Sequence, residues 1–209
     1  MFTLYSTPRS ANGRKPLAVC SYLGLAPEIQ TVDVYLGQGR APAYLAVHPL
    51  GKVPALVDGD LVLWESNAIS EYIAEAYGDG RLWSRDPRKR ADISRWMYWE
   101  ASQWQPALAG ILRDFVAWKL GLSDAAAPVD VNWMDPSFQR QAMFLDTHLR
   151  SRRYLTGDEI TLADFSAAAM VMYVASPGDA FAGLPGILGW YERIEELDAW
   201  KQTAADPWR

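Results

Sequence analysis

The sequence predicts an α/β domain of order βαβαββα over residues 1–80, a linker over 81–87 and an all-helical domain over 88–209. Three observations carry this prediction. Up to Tyr77, short apolar runs alternate with stretches of helical spacing. Asp58-Gly59-Asp60 separates two of those runs as a hairpin turn. Beyond Asp86-Pro87, every periodic segment is helical.

Phe2 to Ser6 is short, apolar and aromatic and reads as the first strand. The helix that follows runs through Leu17 to Leu23 and is closed by Gly24. Pro16 is tolerated only near a first turn, so the helix starts close to Asn12 or Gly13, leaving Ser10 in the preceding loop. Ile29 to Tyr35 alternates apolar and polar residues as a second strand, and Tyr44 to Val47 is a short helix. Val53 to Val57 and Leu61 to Trp64 form an antiparallel hairpin, and Ser66 to Tyr77 is a helix. Past the linker, Arg88 to Leu120 is one long aromatic helix and Phe138 to Arg152 another, with Gly121 to Pro136 as the loop between them. Thr161-Leu162-Ala163-Asp164 has capping-box spacing with Asp in place of Glu, and Ile160 and Phe165 occupy the positions of a hydrophobic staple. Pro185 opens a last helical region containing Trp190, Ile194 and Leu197.

Composition narrows the function. Half of the 209 residues are hydrophobic and 12% are aromatic, enough for a substantial core, and a net charge of −5 argues against a nucleic-acid binder relying on bulk charge. The single cysteine, Cys20, allows no intramolecular disulfide, CxxC pair or cysteine zinc site. The two histidines, His48 and His148, are far apart in sequence, so no metal is expected. No run approaches the ~20 apolar residues of a membrane span, and Met1 to Tyr5 lacks the basic and long apolar regions of a signal peptide, so a cytoplasmic protein is expected.

Two segments carry chemistry. In Leu4-Tyr5-Ser6-Thr7-Pro8-Arg9-Ser10-Ala11-Asn12-Gly13, hydroxyls lie where a strand gives way to a helix, beside unpaired N–H groups that can hold an anion such as a thiolate. The other is His48-Pro49-Leu50-Gly51-Lys52-Val53-Pro54-Ala55-Leu56, continuing to Glu65-Ser66-Asn67-Ala68-Ile69. Pro54 at the mouth of a strand is a candidate for a cis bond, which would let the Val53 N–H and C=O pair with an extended peptide. Ser66 starts a helix whose free N–H groups can receive a carboxylate, and Glu65 offers the opposite charge for an ammonium. Together these suit the end of an α-amino acid.

In these residues, and in Thr161-Leu162-Ala163-Asp164 after Tyr154-Leu155-Thr156-Gly157-Asp158, the chain resembles the cytosolic glutathione transferase family, in its bacterial-like form with a serine-type loop. The resemblance implies a thioredoxin-like N-terminal domain, an all-helical C-terminal domain, a homodimer and glutathione as cosubstrate. It assigns Glu65 and Ser66 to the γ-glutamyl end, Val53 with Pro54 to the cysteinyl backbone, and Lys52 with Arg40 to the glycyl carboxylate. The family often has a basic or polar residue where this chain has Gly39. Its catalytic residue lies in the loop after the first strand, and Ser10, with Asn12 two places on, matches best. Thr7 and Ser6 are neighbouring candidates. The activity implied is conjugation of glutathione to a small hydrophobic electrophile, a detoxification chemistry. A glutathione peroxidase, an isomerase or a non-catalytic binding protein on the same fold are the alternatives. The chemistry needs a thiolate, and lowering a thiol pKa of ≈ 8.5 by about two units requires ~2.7 kcal/mol of differential stabilisation.

Cys20 falls mid-helix among Ala18, Val19 and Leu23 and reads as a small core residue. Trp96 and Trp99 share a helix face and read as packing, with an apolar pocket including Phe115 and Trp118 as the minority role. His48 reads as structural.

Overall fold

In a computed structural model of the protein, residues 2–124, 130–174 and 177–204 are described. The chain divides into two compact units. One holds the chain up to Arg85 and the segment that begins at Leu197; the other runs from Asp86 to Glu196.

The first unit is built on strands β1 (Thr3–Ser6), β2 (Glu28–Thr31), β3 (Ala55–Asp58) and β4 (Leu61–Trp64), with helices α1 (Ala11–Leu23), α2 (Pro42–Leu45) and α3 (Ser66–Tyr77). The sheet order is β2-β1-β3-β4. β1 runs parallel to β2 and antiparallel to β3, and β3 is antiparallel to β4. Helices α1 and α3 pack against each other, and Leu4, Ala18, Val19, Leu56, Ile69 and Ile73 are fully buried. Because strand side chains alternate between faces, Tyr5 leaves this set and packs against Val32, Tyr44 and Val53.

Four boundaries differ from the sequence reading, one of them the strand expected from Val53, which begins at Ala55 after the Val53–Pro54 peptide. The second strand ends at Thr31 rather than Tyr35, because the Asp33 carboxylate accepts from the N–H groups of Tyr35 (3.0 Å) and Leu36 (3.2 Å) and draws the chain into a 3₁₀ turn. Pro42, preorganised for a first helical position, starts the short helix two residues before Tyr44. Ser10 caps α1, so that helix begins at Ala11.

The second unit holds α4 (Pro87–Trp99), α5 (Gln105–Lys119), α6 (Pro136–Leu149), α7 (Leu162–Ala169), the short α8 (Pro177–Ala180) and α9 (Pro185–Glu195). The single helix expected from Arg88 to Leu120 is interrupted at Glu100–Trp104 by a π turn, in which the Gln105 N–H bonds the Glu100 carbonyl. Pro106 supplies the reason: it has no N–H to donate and its ring clashes with the carbonyl four residues back, which the wider turn relieves. Of the loop expected between Gly121 and Pro136, residues 125–129 lie outside the described residues. The capping box at Thr161 is present, with Ile160 and Phe165 both buried at the staple positions.

The last helix, α10 (Asp198–Gln202), groups with the first unit and packs on α1. Arg14 carries that contact: its Nη2 donates to the Trp200 carbonyl at 2.8 Å, and its guanidinium lies 3.7 Å from the centre of the Trp200 ring.

Candidate active site

The register of the sheet converges three segments. Tyr5 is opposite Ala55, and Ala55 is opposite Trp64. Since β3 is antiparallel to both neighbours, the C-terminal end of β1, the N-terminal end of β3 and the C-terminal end of β4 lie side by side. The Thr7–Ser10 loop, Val53-Pro54 and Glu65-Ser66 therefore leave the sheet at one end. A hydrogen bond closes the group: Ser66 Oγ donates to Asn12 Oδ1 at 3.4 Å, joining the first turn of α3 to that of α1.

Ser10 is almost buried and is held at both backbone groups. Its N–H donates to the Thr7 carbonyl and its carbonyl accepts from the Arg14 N–H, each at 3.0 Å. Its Oγ accepts from the Gly13 N–H at 3.0 Å as the cap of α1. A hydroxyl has two acceptor sites and one donor, so capping leaves the Ser10 proton available. Thr7 is buried and offers its carbonyl to the turn. Ser6 Oγ is also buried, against Gly13, where a Cβ would collide with it.

The Val53–Pro54 peptide is cis. Among the described residues, the Val53 N–H and C=O have no hydrogen-bond partner. The preceding carbonyl, that of Lys52, is fixed by the Tyr44 hydroxyl, which donates to it at 2.6 Å. Burial pushes the Tyr44 phenol up to about 12, with Tyr5 adding to the effect, so it stays a protonated donor. Glu65 adopts φ +76° and ψ 114°, a backbone conformation that side-chain-bearing residues rarely take. Such strain costs on the order of 1–3 kcal/mol and concentrates at ligand clamps. Here it sets the exposed Glu65 beside the buried Ser66 at the start of α3.

Arg40 and Lys52 are exposed, and among the described residues neither has a carboxylate partner. The backbones beside them meet at two glycines. A Cβ on Gly39 would collide with the Gly51 carbonyl, and one on Gly51 with the Gly39 carbonyl, so two backbones meet there with no room for side chains. Glycine at residue 39 is thus a packing requirement. Gly39→Ala is expected to cost about 1–3 kcal/mol, seen as a lower urea midpoint with an unchanged m-value.

Sequence reasoning missed several contributors. Lys15 is almost fully buried, and its Nζ donates to Asn67 Oδ1 at 3.4 Å, tying α1 to the residue after Ser66. A lysine in an apolar helix gives no sequence signal of burial. Neither Tyr44 as the anchor of the Lys52 carbonyl nor the φ of Glu65 is legible in residue type. His48 is structural: it is buried, its Nδ1 accepts from the Leu50 N–H at 3.2 Å, and burial lowers its pKa. The Cys20 thiol is buried and pushed up to about 12 by desolvation, which leaves it inert. Trp96 packs on His148 and Phe144, at ring-centre distances of 4.4 and 5.6 Å, and the Trp99 indole N–H donates to Gln141 at 3.0 Å. Both belong to the packing of the helical unit.

The arrangement meets known proteins across its whole length. The glutathione S-transferase N-terminal domain family matches residues 1–75, and the glutathione S-transferase C-terminal domain family matches residues 134–193. Glutathione S-transferase GstB of Escherichia coli K12 is 32% identical over 99% of both chains. The crystal structure of glutathione transferase F7 from Populus trichocarpa superposes with a TM-score of 0.86 at 28% identity, covering 100% of each chain. A structure of glutathione S-transferase-I bound with lactoylglutathione does so with a TM-score of 0.84 at 25% identity, over 97% of this chain and 98% of that one. The chain belongs to the glutathione S-transferase family, and its activity is glutathione transfer with glutathione as cosubstrate.

Proposed function

We propose that this glutathione transferase activates the thiol at Ser10 and conjugates it to a small hydrophobic electrophile. The carrying observation is the register Tyr5–Ala55–Trp64, which brings a hydroxyl loop, an unpartnered backbone edge and a strained Glu-Ser corner to one end of the sheet. The γ-glutamyl ammonium is assigned to Glu65, and its carboxylate to the Ser66 hydroxyl and the N–H groups opening α3. Val53, positioned by Pro54, pairs both backbone groups with the cysteinyl residue. Arg40 and Lys52 face the glycyl carboxylate as exposed cations. The thiol sulfur then meets the Ser10 proton, with Asn12 orienting the first turn of α1 and Thr7 the loop before it.

The reaction follows from that placement. The thiol proton passes to solvent, the thiolate forms a carbon–sulfur bond with the electrophile, and the displaced group or the added proton completes the balance. The protein supplies proximity and stabilises the anion. We also assign the chain to a homodimer, since both units expose large apolar side chains: Val62 and Trp64 on one, Tyr98, Met143 and Phe144 on the other. A cytoplasmic, detoxifying role fits the lone buried thiol.

Mass spectrometry of the products with an aryl halide tests the reaction, and a glutathione adduct is the expected result. Oxidised glutathione formed from an organic peroxide, with no adduct from any electrophile, would assign a peroxidase instead. Ser66→Ala is expected to raise the KM for glutathione about tenfold with a smaller change in kcat, because it removes ground-state binding.

A further inference from the structure

Four arginines, none of them among the residues assigned to glutathione, line one cavity of the helical unit. Arg150, Arg152 and Arg153 follow the end of α6 and Arg193 lies in the last turn of α9. With Pro185 and Gly189 they line an open cavity of about 840 Å³. That is within the size range of small-molecule sites.

Two of the guanidinium groups, those of Arg193 and Arg152, are held by backbone carbonyls without being neutralised. Arg193 donates from Nε (3.2 Å) and Nη2 (2.9 Å) to the Arg153 carbonyl. Arg152 Nη1 donates to the His148 carbonyl at 3.2 Å. Carbonyls fix direction but carry no charge, and each arginine has five N–H donors, so most remain for a ligand. Arg150 is paired, through Nε, with the buried Asp146 at 2.7 Å. Among the described residues, Arg152, Arg153 and Arg193 have no carboxylate within salt-bridge distance, and Glu196 is the acid lining the cavity. Gly189 adds room: a Cβ there would lie 3.5 Å from Arg193 Nη1, so the guanidinium rests over bare backbone.

Like charges held together repel, and in a chain with net charge −5 this cluster runs against the overall balance. An anion with several oxygens offsets the repulsion, and planar, carbonyl-anchored guanidinium groups match phosphate oxygens in pairs. We propose that this cavity binds the phosphate of a small phosphorylated ligand. Pro185 and Gly189, which also line the cavity, leave space beside the arginines for its organic part.

Calorimetric titration with inorganic pyrophosphate, at ionic strength held constant with chloride, tests the site in the full chain. Saturable one-to-one binding is expected, weakened about tenfold by Arg152→Gln and by Arg193→Gln. Binding should be unchanged by Arg88→Gln, at an exposed arginine outside the cavity. Arg193 also holds the Arg153 carbonyl, so Arg152→Gln, with its single backbone carbonyl contact, is the decisive variant if Arg193→Gln fails to fold. A parallel arm uses phosphatidylcholine vesicles doped with phosphatidic acid. Sedimentation with these vesicles but no pyrophosphate binding, with the same dependence on Arg152, would support phosphate recognition and assign the source to a lipid headgroup. No binding in either arm, or binding that Arg152→Gln and Arg88→Gln weaken equally, would overturn the proposal. None of these readouts involves glutathione.

Discussion

Replacing Ser10 with alanine is expected to lower kcat/KM for conjugation by about two to three orders of magnitude, with the pKa of the bound thiol returning toward ~8.5. The Oγ already accepts the Gly13 N–H at 3.0 Å. Accepting that bond polarises the hydroxyl and would strengthen the bond its proton makes to sulfur in the proposed site. The same bond stabilises the fold, so Ser10→Ala is also expected to cost about 1 kcal/mol through the lost cap. A loss of that size leaves most molecules folded and accounts for none of the rate effect.

Two further substitutions separate cap from chemistry. Ser10→Asn keeps a capping oxygen and removes the hydroxyl, so stability should hold while activity falls as far as in Ser10→Ala. Ser10→Thr keeps both and should recover most of the activity. Thr7→Val should leave the thiol pKa in place, since Thr7 meets the loop through its carbonyl. Titrating the ultraviolet absorbance of the bound thiolate in each variant reads the pKa directly. If Thr7→Val raises it and Ser10→Ala does not, the sulfur belongs to Thr7.

The parts of this site visible in sequence are those that use local rules. Asp58-Gly59-Asp60 dictates a hairpin, the hairpin fixes Ala55 opposite Trp64, and that register carries Glu65-Ser66 to the mouth of β3. The box at Thr161 is legible for the same reason, as a spacing within one turn. What escaped the sequence depends on approach between distant segments. Gly39 and Gly51 are twelve positions apart and their shared lack of a side chain matters only because their backbones touch. Arg193 joins the Arg153 carbonyl across forty positions, so arginines that lie far apart in sequence line one cavity. The strand expected to reach Tyr35 was lost to a single side chain, Asp33, whose preference for nearby N–H groups outweighed the alternation of Ile29 to Tyr35.

The largest effect on stability is expected at Asp164. This carboxyl is fully buried, with Oδ1 accepting from the Leu155 N–H (2.9 Å) and the Trp190 indole N–H (3.0 Å). Oδ2 accepts from the Thr161 N–H (2.9 Å) and hydroxyl (3.2 Å). Asp164→Asn turns one oxygen into a donor and sets it against two others, leaving buried groups unsatisfied, so a loss of about 3–5 kcal/mol is expected. Four donors favour the anion and burial opposes it; burial prevails and lifts the carboxyl to about 6. A folded pKa above the unfolded value of about 3.9 means that the folded chain binds the proton more tightly. The contribution of Asp164 is therefore complete below pH ~4 and declines as the pH rises through about 6. The asparagine variant has no such titration, so the stability gap between the two proteins should narrow between about pH 4 and pH 7. Urea midpoints at both pH values check this, and a gap that widens with pH would show that the four donors outweigh the burial.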